Sequence, residues 1–236
     1  MEKVQNTATS VVSRKRIKDE KLKAARMSQI IQCSFDLFQE NGIESISFND
    51  IAFNSKIGVA SLYRYFPSKN DLVIEVAIYA WKKEAEYFKQ LYDSAEYKKL
   101  NGYQQLERLF GVFENVLQEH TGFFRFLTYF DVFVKKNKIK DDKLLVYEST
   151  IRLFNKLVMD ALKKGKLDNS LNFSKSVDSP FAASNDDEIY FTIMHSLFGL
   201  SQKLAVSGDM LNMDKEVQSE VQIKLLIKIM LSSIKS

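Results

Sequence analysis

The sequence predicts an all-α protein, with an N-terminal three-helix helix-turn-helix domain joined to a C-terminal helical bundle. Three observations predict it. Gly and Pro are scarce, eight and two in 236 residues, which leaves few sites for hairpins or tight turns. Strong helix formers dominate the remainder, and apolar residues recur at spacings of three and four along most segments. Two of those segments open on the cap pattern Ser-x-x-Asp, at Ser47–Asp50 and Ser68–Asp71. A hydrophobic fraction of 45% and a charged fraction of 27% are ordinary for a globular chain, and no internal repeat stands out.

The elements follow in order. Residues 1–16 are polar, carry Arg14, Lys15 and Arg16, and read as a flexible basic arm. From about Ile17 the pattern is helical: Met27, Ile30, Ile31, Ser34, Leu37 and Phe38 share one face. Asn41-Gly42 stops this helix, because either residue tolerates the left-handed conformation beyond a helix end. Cys33 lies beside Ser34 and reads as a small packing residue. A capping box at Ser47–Asp50 opens a short second helix, interrupted at 54–58. A third covers about 59–65, with Val59, Leu62 and Phe66 on its inner face and Ala60, Ser61 and Arg64 pointing away. Tyr63 and Tyr65 lie on its flanks, and a second capping box at Ser68–Asp71 opens a long fourth helix. Residues 17–72 therefore form the helix-turn-helix domain and 73–236 the bundle.

A seven-residue helix is about 10 Å long and enters a major groove about 12 Å wide. Ser47, at the start of the preceding helix, is placed to hold a phosphate oxygen, while Tyr63, Tyr65 and Lys69 flank the inserted helix and grip the backbone. Charge agrees with a polyanion partner for this end. Residues 1–70 hold eleven basic and seven acidic residues, so the whole net charge of +4 falls there and the rest is balanced. Lys18, Lys21, Lys23 and Arg26, with Arg14, Lys15 and Arg16, either follow phosphates or enter the minor groove, or form a solvated tail.

Residues 30–72 resemble the DNA-binding region of the tetracycline-repressor (TetR) family of transcriptional regulators. The matching landmarks are Leu37-Phe38, Gly42, Ser47, Ile51-Ala52, Leu62-Tyr63, Tyr65-Phe66, Lys69 and Leu72. The resemblance implies base contacts from Val59, Ala60 and Ser61, and phosphate contacts from Ser47, Tyr63, Tyr65 and Lys69. Three departures matter. Ser47 stands for a commoner threonine and keeps the hydroxyl. Lys56 stands for the usual turn glycine, altering the turn or adding a phosphate contact. Gly58 stands for the usual serine cap and starts the reading helix less firmly. With one hydroxyl among Val59, Ala60 and Ser61, readout rests on thymine methyls and DNA shape, which predicts an AT-rich operator.

Beyond residue 75, periodic segments run over 68–92, 102–119, 122–136, 141–164, 186–206 and 214–235. Phe110, Phe113, Phe126, Tyr129, Phe130, Phe133, Tyr147 and Phe154 form a dense aromatic set, either core or the lining of an apolar effector pocket. The resemblance favours the pocket. The last two segments are apolar on more than one face, and the surplus at Ile193, Met194, Leu197, Phe198, Leu225 and Ile229 predicts an isologous homodimer built as a four-helix bundle, with Gly199 allowing close approach. The resemblance implies the same arrangement. Residues 165–188 are rich in Ser, Asn and Asp and read as a linker or a lid.

Several classes find no support. One cysteine excludes an intramolecular disulfide and a cysteine-based metal site, and His120 and His195 stand apart from other ligands. No signal-peptide core, no membrane-length apolar run and no catalytic constellation appears, so the expectation is a cytoplasmic protein that is not an enzyme and needs no cofactor. The expected partners are a double-stranded DNA operator, a second copy of the chain and a small apolar effector. Two alternatives stay open: a helical lipid carrier or enzyme using the aromatic cavity, and a DNA binder without an effector, which a sealed core would support.

Overall fold

A computed structural model of the chain describes residues 2–172 and 184–236, with side chains from residue 19 onward except those at 87, 141 and 153. Its helices are α1 (Glu2–Asn41), α2 (Phe48–Asn54), α3 (Val59–Tyr65), α4 (Lys69–Asp93), α5 (Ala95–Lys99), α6 (Gly102–Glu119), α7 (Thr121–Asn137), α8 (Asp141–Leu167), α9 (Asp186–Ser207) and α10 (Ser219–Ile234). A 3-10 turn spans Met213–Glu216. No strand occurs among the described residues. The all-α expectation holds.

The first helix runs back to Glu2, where the sequence reading put an arm up to residue 16. No Gly or Pro interrupts residues 2–41, so nothing in the chain breaks helical backbone there. The side chains of Arg14, Lys15, Arg16 and Lys18 lie outside the described residues. At the other end Gly42 takes φ +79° and donates its N–H to the Phe38 carbonyl at 2.9 Å, the stop that Asn41-Gly42 predicts. The Ser47–Asp50 capping box forms in full. The cap at Ser68 is shared with a residue of α8. The Ser68 hydroxyl accepts from the Asp71 N–H at 3.2 Å, and the Asp71 carboxylate takes the same hydroxyl at 2.6 Å and Lys143 Nζ at 2.7 Å.

One continuous apolar core runs from Ile30 to Ile234. Helix α4 packs on α8, α6 on α8, and α10 on α6 and α9, while α7 lies between α1 and α9. The N-terminal helices are thus seated on α7. Phe35 meets Phe126 at 5.4 Å between ring centres, Arg125 pairs with Glu40 at 2.8 Å, and Tyr129 covers Gly42. The crossing of α6 over α8 needs a bare backbone. A Cβ on Gly102 would stand 2.0 Å from the Gly165 nitrogen and 2.6 Å from the Ala161 carbonyl oxygen. The N-terminus of α6 is also capped from α8, by Asp168 Oδ2 at 2.9 Å from the Gly102 nitrogen.

Two further departures concern the chain after α8. Of the predicted linker at 165–188, residues 165–167 finish α8 and 186–188 begin α9, and buried Leu171 makes an antiparallel bridge to Lys235. Residues 173–183 lie outside the described ones. The predicted segment at 214–235 divides into the 3-10 turn and α10, because Val217 and Gln218 adopt extended backbone between them.

Candidate nucleic-acid interface

The turn between α2 and α3 closes by backbone bonds. Ile57 N–H donates to the Ala52 carbonyl at 3.0 Å and Lys56 N–H to Phe53 at 3.1 Å, the paired bonds of a Schellman ending. Such an ending needs a left-handed residue at its pivot, and here Lys56 supplies it at φ +55°. Lys56 therefore keeps the geometry expected of glycine and bears the strain, with its side chain exposed. Gly58 caps α3 without a side-chain bond, as its departure from serine predicts.

Helix α3 is anchored by Leu62, fully buried, and followed by buried Phe66. Ala60, Tyr63 and Arg64 are exposed, Ser61 and Tyr65 half-buried. Val59 corrects the sequence reading: at the first position of α3 it is 36% exposed, so it is no inner-face anchor. It stays available on the outer side. Tyr63 leans on Phe48, ring centres 4.8 Å apart, and the Arg64 guanidinium lies 5.8 Å from the Tyr65 ring centre. Both tyrosines are thus held against protein on one side.

Ser47, Asp50 and Lys69 gather beside this helix. The Ser47 hydroxyl donates to Asp50 Oδ2 at 2.6 Å, and its N–H donates to the same oxygen at 2.8 Å. That hydroxyl bond is the main cause holding the Asp50 carboxyl below the usual aspartate range. A phosphate contact from Ser47 thus requires an exchange of partner. Half-buried Lys69 has its pKa lowered chiefly by burial, with Glu44 and Asp50 opposing and Lys136 adding to the fall. Phe53, 82% exposed at the end of α2, was missed; its offset from Phe48, Ile51 and Ala52 marks it as outside the inner face.

A cavity of about 260 Å³ opens in the bundle among α4, α7, α8 and α9. Of the predicted pocket residues, Tyr147 lines it, and Phe154 borders a smaller one of about 50 Å³. Phe110, Phe113, Phe126, Phe130 and Phe133 are buried as close-packed core, and Tyr129 lies under the α1 turn. The walls missed by the sequence reading include Trp81, Tyr190, Phe191 and Phe198, with Asp131, Asn155 and Gln202 as polar groups. Trp81 Nε1 donates to the Tyr147 hydroxyl at 3.1 Å, Tyr190 donates to Asn155, and Gln202 Nε2 donates to Asp131 at 3.0 Å. Loss of hydration raises the pKa of Tyr147 and Tyr190, and that of Asp131 despite the Gln202 bond. Among the described residues no three of His, Cys, Asp and Glu gather as metal ligands.

Residues 30–76 match the family model described as bacterial regulatory proteins, tetR family. The helix-turn-helix region is thus similar to that of the tetR-family regulators. HTH-type transcriptional regulators of Staphylococcus aureus, from strains USA300 and COL, are 38% identical to it over 76 residues, 32% of this chain and 40% of theirs. The match therefore spans less than half the length of those relatives. Solved structures of transcriptional regulators superpose over nearly the whole molecule. A TetR-family regulator from Agrobacterium tumefaciens gives a TM-score of 0.67 at 18% identity, covering 91% of this chain and 100% of its own. The ketosteroid transcriptional regulator KstR2 of Mycobacterium tuberculosis gives 0.59 at 18%, covering 89% and 95%. A regulator from Saccharomonospora viridis in complex with choline gives 0.66 at 14%, covering 90% and 99%. These structures establish a shared fold.

Within this fold the predicted dimer residues divide. Ile193, Met194 and Leu197 are buried in the protomer's own core, and Phe198 is packed against Trp81, Phe113, Phe124 and Phe154. Ile193, Met194 and Leu197 are thus covered within the protomer, and Phe198 is covered in part. Leu225 and Ile229, 55% and 56% exposed, join Val221 in a stripe along α10. On α9 the exposed side carries Phe191, His195 and Gly199, and a Cβ on Gly199 would meet nothing within 4 Å. No described helix is long and apolar enough to cross a membrane.

Proposed function

We propose that this protein is a cytoplasmic, dimeric repressor of the TetR family that binds an operator in duplex DNA and is released from it by a small apolar or aromatic effector. One observation carries the reading: α3 is pinned by Leu62 while Val59, Ala60, Tyr63 and Arg64 remain exposed beside Lys69. Val59, Ala60 and Ser61 face base edges, and Tyr63, Arg64, Tyr65, Lys56, Lys69 and Ser47 hold the backbone. Two copies joined through the exposed stripes of α9 and α10 bring their reading helices to successive major grooves, about 34 Å apart. The cavity supports the effector, since an effector-independent binder has no need of an aromatic void with polar walls. Related folds include a ketosteroid regulator and a choline complex, which supports small-molecule control without naming the molecule.

Selection from a random duplex library tests it. The expected result is an inverted repeat with AT-rich half-sites one helical turn apart, bound by two protomers. Recovery of no shared motif, or of GC-rich half-sites with no thymine preference, refutes the readout assigned to α3.

A further inference from the structure

The cavity wall has an unusual balance of charge. Trp81, Tyr147, Tyr190, Phe191 and Phe198 line it, no Lys or Arg does, Asp131 is the one carboxylate, and the exposed imidazole of His195 is the one basic group. Among the described residues Asp131 has no basic partner; Gln202 is its hydrogen-bond donor, a neutral group. Its residue surface is open at the rim of the cavity, yet enough protein surrounds the carboxyl to raise its pKa through lost hydration. It lies near enough to Tyr147 to oppose ionisation of that phenol. A carboxylate at the rim of an aromatic cavity, bonded there to a neutral amide, attracts a cation that enters the cavity. Ring faces attract the same charge through their quadrupoles.

We propose that the cavity binds a small organic monocation bearing apolar substituents, with Asp131 as counter-ion and Trp81, Tyr147, Tyr190 and Phe198 supplying ring faces. One carboxylate sets the charge at one. A volume of about 260 Å³ lies just below the range for drug-sized ligands, so the cation is compact. Raised tyrosine pKa values keep both phenols neutral at physiological pH, so no second anion competes for the role. The inference rests on the effector reading above and adds the class of the ligand.

The test uses two molecules of one shape: meta-hydroxyphenyl trimethylammonium and its neutral isostere meta-tert-butylphenol. Calorimetry on the full chain measures affinity, and quenching of Trp81, the single tryptophan, reports occupancy of this cavity. The cation is expected to bind at least about tenfold more tightly than the phenol, and Asp131→Asn to remove about tenfold of that preference while leaving phenol binding within twofold. Retained phenol binding and an unchanged melting temperature show that the variant is folded. Equal or tighter binding of the phenol, an Asn variant that keeps the cation's affinity, or no cation binding overturns the proposal. If the phenol alone binds and frees duplex DNA, ligand control stands and the cationic class falls.

Discussion

Removing the Lys69 ammonium isolates the phosphate-binding side of the proposed interface. Lys69→Ala leaves α4 with its Ser68 cap and deletes a half-buried cation from the first turn of that helix, where the dipole opposes positive charge. Folding stability therefore changes by no more than a few tenths of a kcal/mol, with the lost attraction to Glu44 and Asp50 offsetting the relieved dipole. DNA binding changes far more. Each phosphate neutralised contributes about 0.9 to the slope of log K against log salt, so a dimer losing two such contacts has a slope shallower by about 1.8. Over a fourfold rise in salt, wild type then loses about twelvefold more affinity than the variant. Fluorescence anisotropy on a non-specific duplex measures this without knowledge of the operator. An unchanged salt slope would place Lys69 away from the phosphates and refute the orientation assigned to α3.

Lys56→Gly relieves a left-handed lysine worth about 1–2 kcal/mol at the cost of about 0.5–1 kcal/mol of chain entropy, so urea midpoints should show a net gain of about 0.5–1 kcal/mol. Glu84, buried and facing His120 Nδ1 at 2.8 Å, has its pKa raised mainly by burial, so the folded state holds its proton more tightly than the unfolded chain. Its contribution is fullest below the ordinary glutamate range and is lost as pH rises from there towards the folded value; relative to Glu84→Gln, wild type should lose stability over that rise, and parallel stability–pH curves would refute it. Gly102→Ala drives a Cβ into backbone of α8 and should cost about 3 kcal/mol, while Gly111→Ala on the same helix, with nothing within 4 Å, should gain about 0.5–1 kcal/mol in thermal or urea unfolding.

Local chemistry was legible because it is short-ranged. Gly42, the Ser47 box, the buried Leu62 and Phe66 and the exposed outer side of α3 all follow from residues within one or two turns of each other. The misses share a different cause. Val59 has the spacing of an inner-face residue, but burial needs a neighbour over the start of α3, which no pattern in α3 encodes. Asp71 fits a capping box by spacing, but no local pattern shows that Lys143, 72 residues away, also binds its carboxylate. Phe113 and Tyr147 look alike as members of an aromatic set; the first closes against Phe88, Phe154 and Phe198, and the second borders a void. Ile193 and Leu197 show the same limit, because a surplus of apolar residues does not say which belong to the protomer's own core.

Helix α8 connects the two proposed sites, and magnitudes decide how. Tyr147 lines the cavity and accepts from Trp81; one turn earlier, Lys143 pairs with Asp71, which also takes the hydroxyl of Ser68 beside Lys69. The route is short and continuous. Yet Lys143 and Asp71 are 47% and 31% exposed at their side chains, and such a pair contributes about 1 kcal/mol at most. Ligand control of DNA affinity typically requires about 1–3 kcal/mol of coupling between sites. The ion pair is too weak to carry the upper part of that range. The remainder must come from the packing of α8 along α4, where Trp81, Phe88 and Phe154 interlock and a shift of one helix displaces the other. Trp81 and Tyr147 both line the cavity, so the proposed effector would press on that packed seam directly, and α4 begins at Lys69, so the residue proposed to meet phosphate lies on the helix that the ligand would touch.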